Sequence, residues 1–150
     1  MKYSVIAGAV SCALVALGLA ACRPDMTGAD QMVGEVADAR AELAAHHDAT
    51  QAASSLPDLR LEVGRHEAAW GEIMAGMMDA MADMGMCGAM AEMQSMMDDM
   101  HGIVTHHDAE LDAATVLGTG QAACDTYVLA MNDELDSMMG TMDQGGCMMQ

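Results

Sequence analysis

The stretch LRLEVGRHEAAWGEIMAGMMDAMADM, residues 59–84, carries the spacing that decides the fold. Apolar and aromatic side chains recur in it every three or four residues, which places them along one face of an α-helix. This stretch predicts a helix at residues 58–84, and similar spacing elsewhere predicts helices at residues 28–53, 89–116 and 121–143. The sequence lacks the β-branched runs and the strict alternation that indicate strands. The helical face within residues 59–84 consists of Leu59, Val63, His66, Trp70, Ile73, Met77, Met81 and Met84. The first helix has a weaker predicted face of Val33, Val36, Arg40, Leu43 and His47, and the last has Cys124, Tyr127, Met131, Leu135, Met138 and Met142.

Two motifs occur twice at nearly the same separation. HHDA stands at residues 46–49 and at 106–109, an offset of 106 − 46 = 60. MMxxM stands at residues 77–81 and at 138–142, an offset of 138 − 77 = 61. Self-similarity at a fixed period indicates a duplicated unit, here a hairpin of two helices. Short loops make successive helices antiparallel, so the sequence predicts an all-α, up-down-up-down four-helix bundle built from a duplicated helical hairpin.

The chain opens with a short charged segment and an uncharged apolar run. Lys2 lies in the first four residues, and residues 5–21 carry no charge and end in small side chains. These are the parts of a secretory signal. The exit, Leu19-Ala20-Ala21-Cys22, resembles the lipobox of bacterial lipoproteins.

The resemblance implies a signal peptide at residues 1–21. The helical pattern then leaves a short tether at 22–27 and the bundle at 28–150. The resemblance also implies a covalent lipid on Cys22, and the palmitate-type chains of such an anchor hold a protein stably on a membrane. Arg23, rather than Asp, follows the cysteine, which in this family implies an outer membrane location. We expect the domain to face the periplasm, with exposure at the cell surface as the alternative. The alternative to a lipobox is an ordinary signal peptide in which Cys22 has no role.

Charge excludes one class of partner. The chain has 23 acidic and 5 basic residues, for a formal net charge of −18. An acidic surface opposes binding to nucleic acid and attracts cations. The sequence identifies no protein partner. The 20 methionines and the absence of Phe mean that methionine must fill much of the core.

A polar layer is predicted inside the bundle. His47 and His107 precede their loops by similar distances, while His66 and Tyr127 follow the same loops, so all four lie within about one helical turn of each other. Cys124 lies one turn from Tyr127. Imidazole and thiolate bind copper or zinc, so His47, His66, His107 and Cys124 form a candidate metal site.

The same residues allow a reading without metal. His46 and His106 are expected on the neighbouring face of their helices, at the edge of the layer. The three core histidines could bond one another, Tyr127 or buried water and bind no ion. Cys124 could pack as a small apolar side chain.

Methionines fill the other half of the predicted bundle. Thioether is a soft ligand suited to Cu(I), although methionine also serves as ordinary core filler. Adjacent pairs put some thioethers off the core face, which core filling does not explain. The pattern is similar in composition to Met- and His-rich periplasmic copper-handling proteins. The pairs are Met77-Met78, Met96-Met97 and Met138-Met139.

Two cysteines follow the C-terminal ends of equivalent predicted helices. Cys87 and Cys147 therefore lie at the same end of the bundle and are predicted to form a disulfide. Cys124 lies roughly 35 Å from Cys147 along one helix and cannot pair with it. Alternatively, Cys87 and Cys147 stay reduced and join Met86, Met148 and Met149 in a soft-metal cluster.

Enzyme motifs are missing from the sequence. It contains no phosphate-binding Gly-rich loop, no serine nucleophile elbow and no HExxH. We therefore expect a non-enzymatic envelope lipoprotein that binds or buffers metal ions, copper before zinc. The alternative is a structural or interaction lipoprotein with a polar core layer and no ligand.

Overall fold

The computed structural model describes residues 28–85, 88–145 and 147 of the chain. These residues form four α-helices and the turns between them, which confirms the predicted all-α four-helix bundle. No helix in this part of the chain is long and apolar enough to cross a membrane. The signal peptide, the tether and Cys22 lie outside the described residues. The helices are α1 (Gly28–Ala52), α2 (Leu56–Asp83), α3 (Met90–Ala113) and α4 (Leu117–Gln144).

Local signals fix the ends of α2. The Ser55 hydroxyl accepts a hydrogen bond from the backbone N–H of Asp58 at 3.3 Å, and Pro57 stands in the first turn, where no backbone donor is needed. After α2 the chain turns at Gly85, whose φ of +65° favours glycine. The hairpin loop and the turn between halves thus fall close to where the sequence places them.

A single offset of 61 relates the two halves. Adding it to the bounds of α2, 56 and 83, gives those of α4, 117 and 144. One interhelical contact also repeats at this offset. Arg60 donates to the Leu111 carbonyl at 3.2 Å, and Gln121 donates to the Thr50 carbonyl at 3.1 Å. Because 121 − 60 = 61 and 111 − 50 = 61, the same bond bridges each half to the other.

In α1 the predicted core face is wrong at three of its five positions. Val36 and Leu43 belong both to the predicted face and to the buried one. From either residue, a step of three or of four reaches a residue on a different face, so the spacing alone does not decide between the two faces. Burying the Arg40 guanidinium would remove a charge from water, whereas burying Ala39 carries no such cost. Along this stretch the buried residues are Met32, Val36, Ala39, Leu43 and His46, with Gly28, Ala29 and Thr50 buried nearer the helix ends, where the prediction had Val33, Val36, Arg40, Leu43 and His47.

The buried histidines separate two apolar parts of the core. The small cluster contains Leu59, Val63, Leu111 and Cys124. The large cluster is rich in methionine, as predicted, and its side chains pack continuously toward the other end of the bundle. Its fully buried methionines are Met32, Met77, Met93, Met100, Met131, Met138 and Met142.

Candidate metal site

Four aromatic rings, one from each helix, meet at a single level of the core. His46 stacks on His66 with ring centroids 4.0 Å apart, and His107 stacks on Tyr127 at 4.4 Å. The edge-to-face contact of His46 with His107 joins the two pairs at 6.0 Å. His107 is the counterpart of His46, and Tyr127 is the counterpart of His66, since 107 − 46 and 127 − 66 both give the offset of 61. The predicted polar layer therefore exists, and all four rings are buried.

His47 does not belong to this layer, which corrects the prediction. Its side chain is 45% exposed, and its Nδ1 lies 3.2 Å from the Asp125 carboxylate at the surface. The repeated HHDA motif is misleading, because it pairs His47 with His107 at an offset of 60. The offset of 61, shown by the repeated MMxxM motif, pairs His46 with His107 and would have identified the buried residue.

His66 is fully engaged by its neighbours. Its Nδ1 lies 3.0 Å from Glu42 Oε1, and its Nε2 lies 2.9 Å from the Tyr127 hydroxyl. A carboxylate can only accept, so Nδ1–H donates to Glu42 and Nε2 accepts the tyrosine proton. Burial raises the pKa of Tyr127, which keeps this proton in place at neutral pH. His66 thus lies beside the candidate site, with both nitrogens occupied.

His46, His107 and Cys124 form a compact group of candidate ligands. One atom from each, an imidazole nitrogen or the thiol sulfur, lies within 4.8 Å of the other two. Neither ring nitrogen of His46 or of His107 has a hydrogen-bond partner among the described residues. A buried polar group without a partner costs about 1–3 kcal/mol, so an occupant that bonds these nitrogens would be strongly favoured.

Burial also sets the protonation of this group. Desolvation, followed by the neighbouring histidines, lowers the pKa of His46 to about 3. Desolvation likewise lowers the pKa of His107 to about 4, against the opposing effect of Asp108. Both imidazoles are therefore neutral at pH 7 and each carries a free lone pair. Burial raises the pKa of the Cys124 thiol to about 11, so its proton must leave when a metal binds.

The two cysteines among the described residues differ in oxidation state. Cys124 is free and buried, and Cys147 is disulfide-bonded. Cys87, the partner predicted for Cys147, lies outside the described residues, so the pairing stays a prediction. The bonded state of Cys147 disfavours the alternative in which this cysteine is a reduced ligand of a soft-metal cluster.

The donor set suits a soft or borderline metal ion. Two imidazole nitrogens and one thiolate sulfur are ligands for copper and zinc rather than for magnesium or calcium. Comparison of the chain with protein-family models, with curated proteins and with solved structures finds no match.

Proposed function

We propose that the bundle binds a soft or borderline transition metal ion at His46, His107 and Cys124. The observation that carries the proposal is the group of three buried ligand atoms within 4.8 Å of one another. The unpartnered nitrogens of the two histidines support it, because coordination would remove their desolvation cost. No catalytic role is proposed.

Copper fits this group better than zinc. Structural zinc sites almost always have four protein ligands, whereas the group supplies three. Two histidines and a cysteine in a trigonal arrangement are typical of copper sites, which often add a distant methionine. The methionine-rich cluster begins beside the layer of buried rings and could supply such a methionine.

The resemblance of residues 19–22 to a lipobox supports a location of this binding at the cell envelope. We propose that a lipid on Cys22 anchors the protein at the outer membrane, facing the periplasm, where it buffers or sequesters copper. The net charge of −18 would concentrate cations near the domain. Cys22→Ser should release the protein from the membrane fraction and abolish incorporation of labelled palmitate. Persistent labelling of the variant would remove the anchor from the proposal.

The metal site is tested by titrating the full chain, purified in detergent, with Cu(I) and with Zn(II) against competing chelators. Removing any one of His46, His107 or Cys124 by substitution with Ala should weaken binding about ten-fold or more. Pairs of these substitutions should be less than additive, because the site is already lost. Competition with a Cu(I) chelator of known affinity measures each change.

His47→Ala is the matched control, since His47 is the adjacent imidazole on the same helix and lies at the surface. Its affinity should equal that of the parent. If the three core variants change only stability and leave metal uptake at the control level, the structural or interaction lipoprotein remains as the better account. Its evidence is the Glu42–His66–Tyr127 network, which satisfies polar groups without any ion.

A further inference from the structure

A pocket opens beside the candidate site at the edge between α2 and α3. Its volume is about 250 Å³, and its lining includes Trp70, Met74, Met78, His101 and His107. His107 is thus both a wall of the pocket and a member of the ligand group. His46 and Cys124 do not line the pocket, so an ion arriving through it would meet His107 first.

The equivalent edge, between α4 and α1, is built differently. There Arg40 on α1 forms an ion pair with Asp136 on α4. At an offset of 61 these positions correspond to His101 and Ala75, which cannot form that ion pair. The two edges therefore differ in their side chains, although they occupy equivalent positions in the fold.

Two thioethers line the pocket, and one of them, Met74, differs in type from its counterpart in the other half. Met74 and Met78 are four residues apart on α2 and lie on one helical face, both lining the pocket. The counterpart of Met74 in α4 is Leu135, since 135 − 74 = 61. Met78 is 52% exposed, so part of this residue is in contact with solvent at the pocket.

His101 supplies a third soft or borderline ligand. Its Nδ1 lies 3.2 Å from the backbone carbonyl of Met97. A carbonyl only accepts, so in the neutral ring Nδ1–H donates to it and the Nε2 lone pair is left for a metal ion. Glu67 and Asp108 add carboxylates to the lining, which favours a cation over an anion.

We infer that this pocket captures Cu(I) through Met74, Met78 and His101 and passes it to His107 in the core. The inference rests on the proposed metal site. Transfer is ligand exchange: bonds from copper to thioether break as bonds to imidazole and thiolate form. Copper stays Cu(I) throughout, and the Cys124 proton leaves to solvent as the thiolate binds.

The ligand types predict a difference between two metals. Thioether sulfur binds Cu(I) but contributes little to Zn(II), which prefers imidazole, thiolate and carboxylate. His107 also lines a second pocket, between α3 and α4, whose lining includes His106, Asp99 and Glu134. Zn(II) can therefore reach His107 past oxygen and nitrogen ligands alone.

The test follows metal loading of the full chain in time with two signals. Trp70, the single tryptophan, lines the pocket and reports capture by fluorescence quenching. Ultraviolet absorption of the copper–thiolate bond reports arrival at Cys124. Met74→Leu with Met78→Leu conserves side-chain volume, and circular dichroism confirms folding. We expect Cu(I) arrival to slow about ten-fold with the final affinity within about two-fold, and Zn(II) loading to be unchanged.

Met139→Leu is the matched control, because Met139 is the counterpart of Met78 (139 − 78 = 61) and lies outside the pocket lining. Parental Cu(I) rates in the double variant, or an equal slowing of Zn(II), would overturn the inference. The Cys124→Ser variant separates this test from that of the core site. Methionine-dependent quenching there supports capture even if the core binds no ion, and its absence removes the pocket as a copper site.

Discussion

The two edges where the hairpins meet, α1 against α4 and α2 against α3, occupy equivalent positions but differ in closure. At the first edge Arg40 and Asp136 pair, and Gln51 donates to Asp125 at 2.8 Å. At the second edge a pocket lined by methionine, histidine and tryptophan reaches the buried layer. The two halves share one symmetric frame, and different side chains at a few positions accompany the pocket at the second edge.

The largest expected effect is the pH dependence of the free energy of unfolding. It comes from His46 and His107, which are histidines at equivalent positions in the two halves. Both have a pKa in the folded state well below the ordinary value of 6.5. The unfolded chain therefore binds more protons below about pH 6.5, and the free energy of unfolding falls as pH falls toward the folded values. By pH 5 the metal-free protein should lose about 2 kcal/mol for each histidine.

Urea unfolding of metal-free protein at pH 7.5 and pH 5 measures this loss. The His46→Leu, His107→Leu double variant is the reference, because the carboxylates titrate alike in both proteins. The parent should lose about 4 kcal/mol more than the variant over that interval. Equal losses of unfolding free energy in the two proteins would mean that water reaches the two imidazoles in the folded state. The prediction that both histidines are buried without a partner would then be wrong.

The sequence predicts the fold from its periodicity, but the register of one helix requires the three-dimensional repeat. The core face of α4, from Cys124 to Met142, is buried as predicted, because large apolar residues mark its positions from Met131 onward and Cys124 and Tyr127 continue the same spacing. The face of α1 contains Ala39 and a histidine pair, so periodicity alone does not distinguish His46 from His47. The offset from the methionine motif would have resolved that choice.

Pair contacts and openings are harder to predict from sequence. Glu42 reaches His66 across 24 positions, and no spacing rule indicates that this carboxylate would occupy an imidazole nitrogen. The pocket between α2 and α3 depends on which helices approach closely, and that depends on all side chains at an edge together. Local patterns therefore identify the candidate ligands, while packing decides which of them remain free to bind.

A second, smaller effect concerns the end of the first hairpin that is opposite its loop. Gly28 at the start of α1 lies so close to the end of α2 that an added Cβ would be 2.6 Å from the Ala80 carbonyl oxygen. The backbone cannot yield as a flexible side chain would, so Gly28→Ala should destabilise the protein by about 2 kcal/mol. The counterpart, at 28 + 61 = 89, is Ala89, so the second hairpin tolerates the methyl group there.

Thermal and urea unfolding check this difference between the hairpins. Gly34→Ala is the matched control, because an added Cβ at Gly34 on the same helix meets nothing within 4 Å. It should be neutral or stabilising by up to about 1 kcal/mol, since alanine favours helix over glycine. A Gly28→Ala protein as stable as this control would show that α1 and α2 can separate at that end without cost.

The smallest effect is expected at the ion pair of the closed edge. The Arg40 and Asp136 side chains are 44% and 71% exposed, so water and salt screen their attraction. A double-mutant cycle with Arg40→Ala and Asp136→Ala, measured by urea unfolding, should give a coupling of less than about 1 kcal/mol that shrinks further in high salt. A weak coupling implies that buried packing between α1 and α4, with the Gln121 bond to the Thr50 carbonyl, holds this edge. A salt-insensitive coupling well above that value would instead make the ion pair the closing device, and copying it onto His101 and Ala75 should then close the pocket.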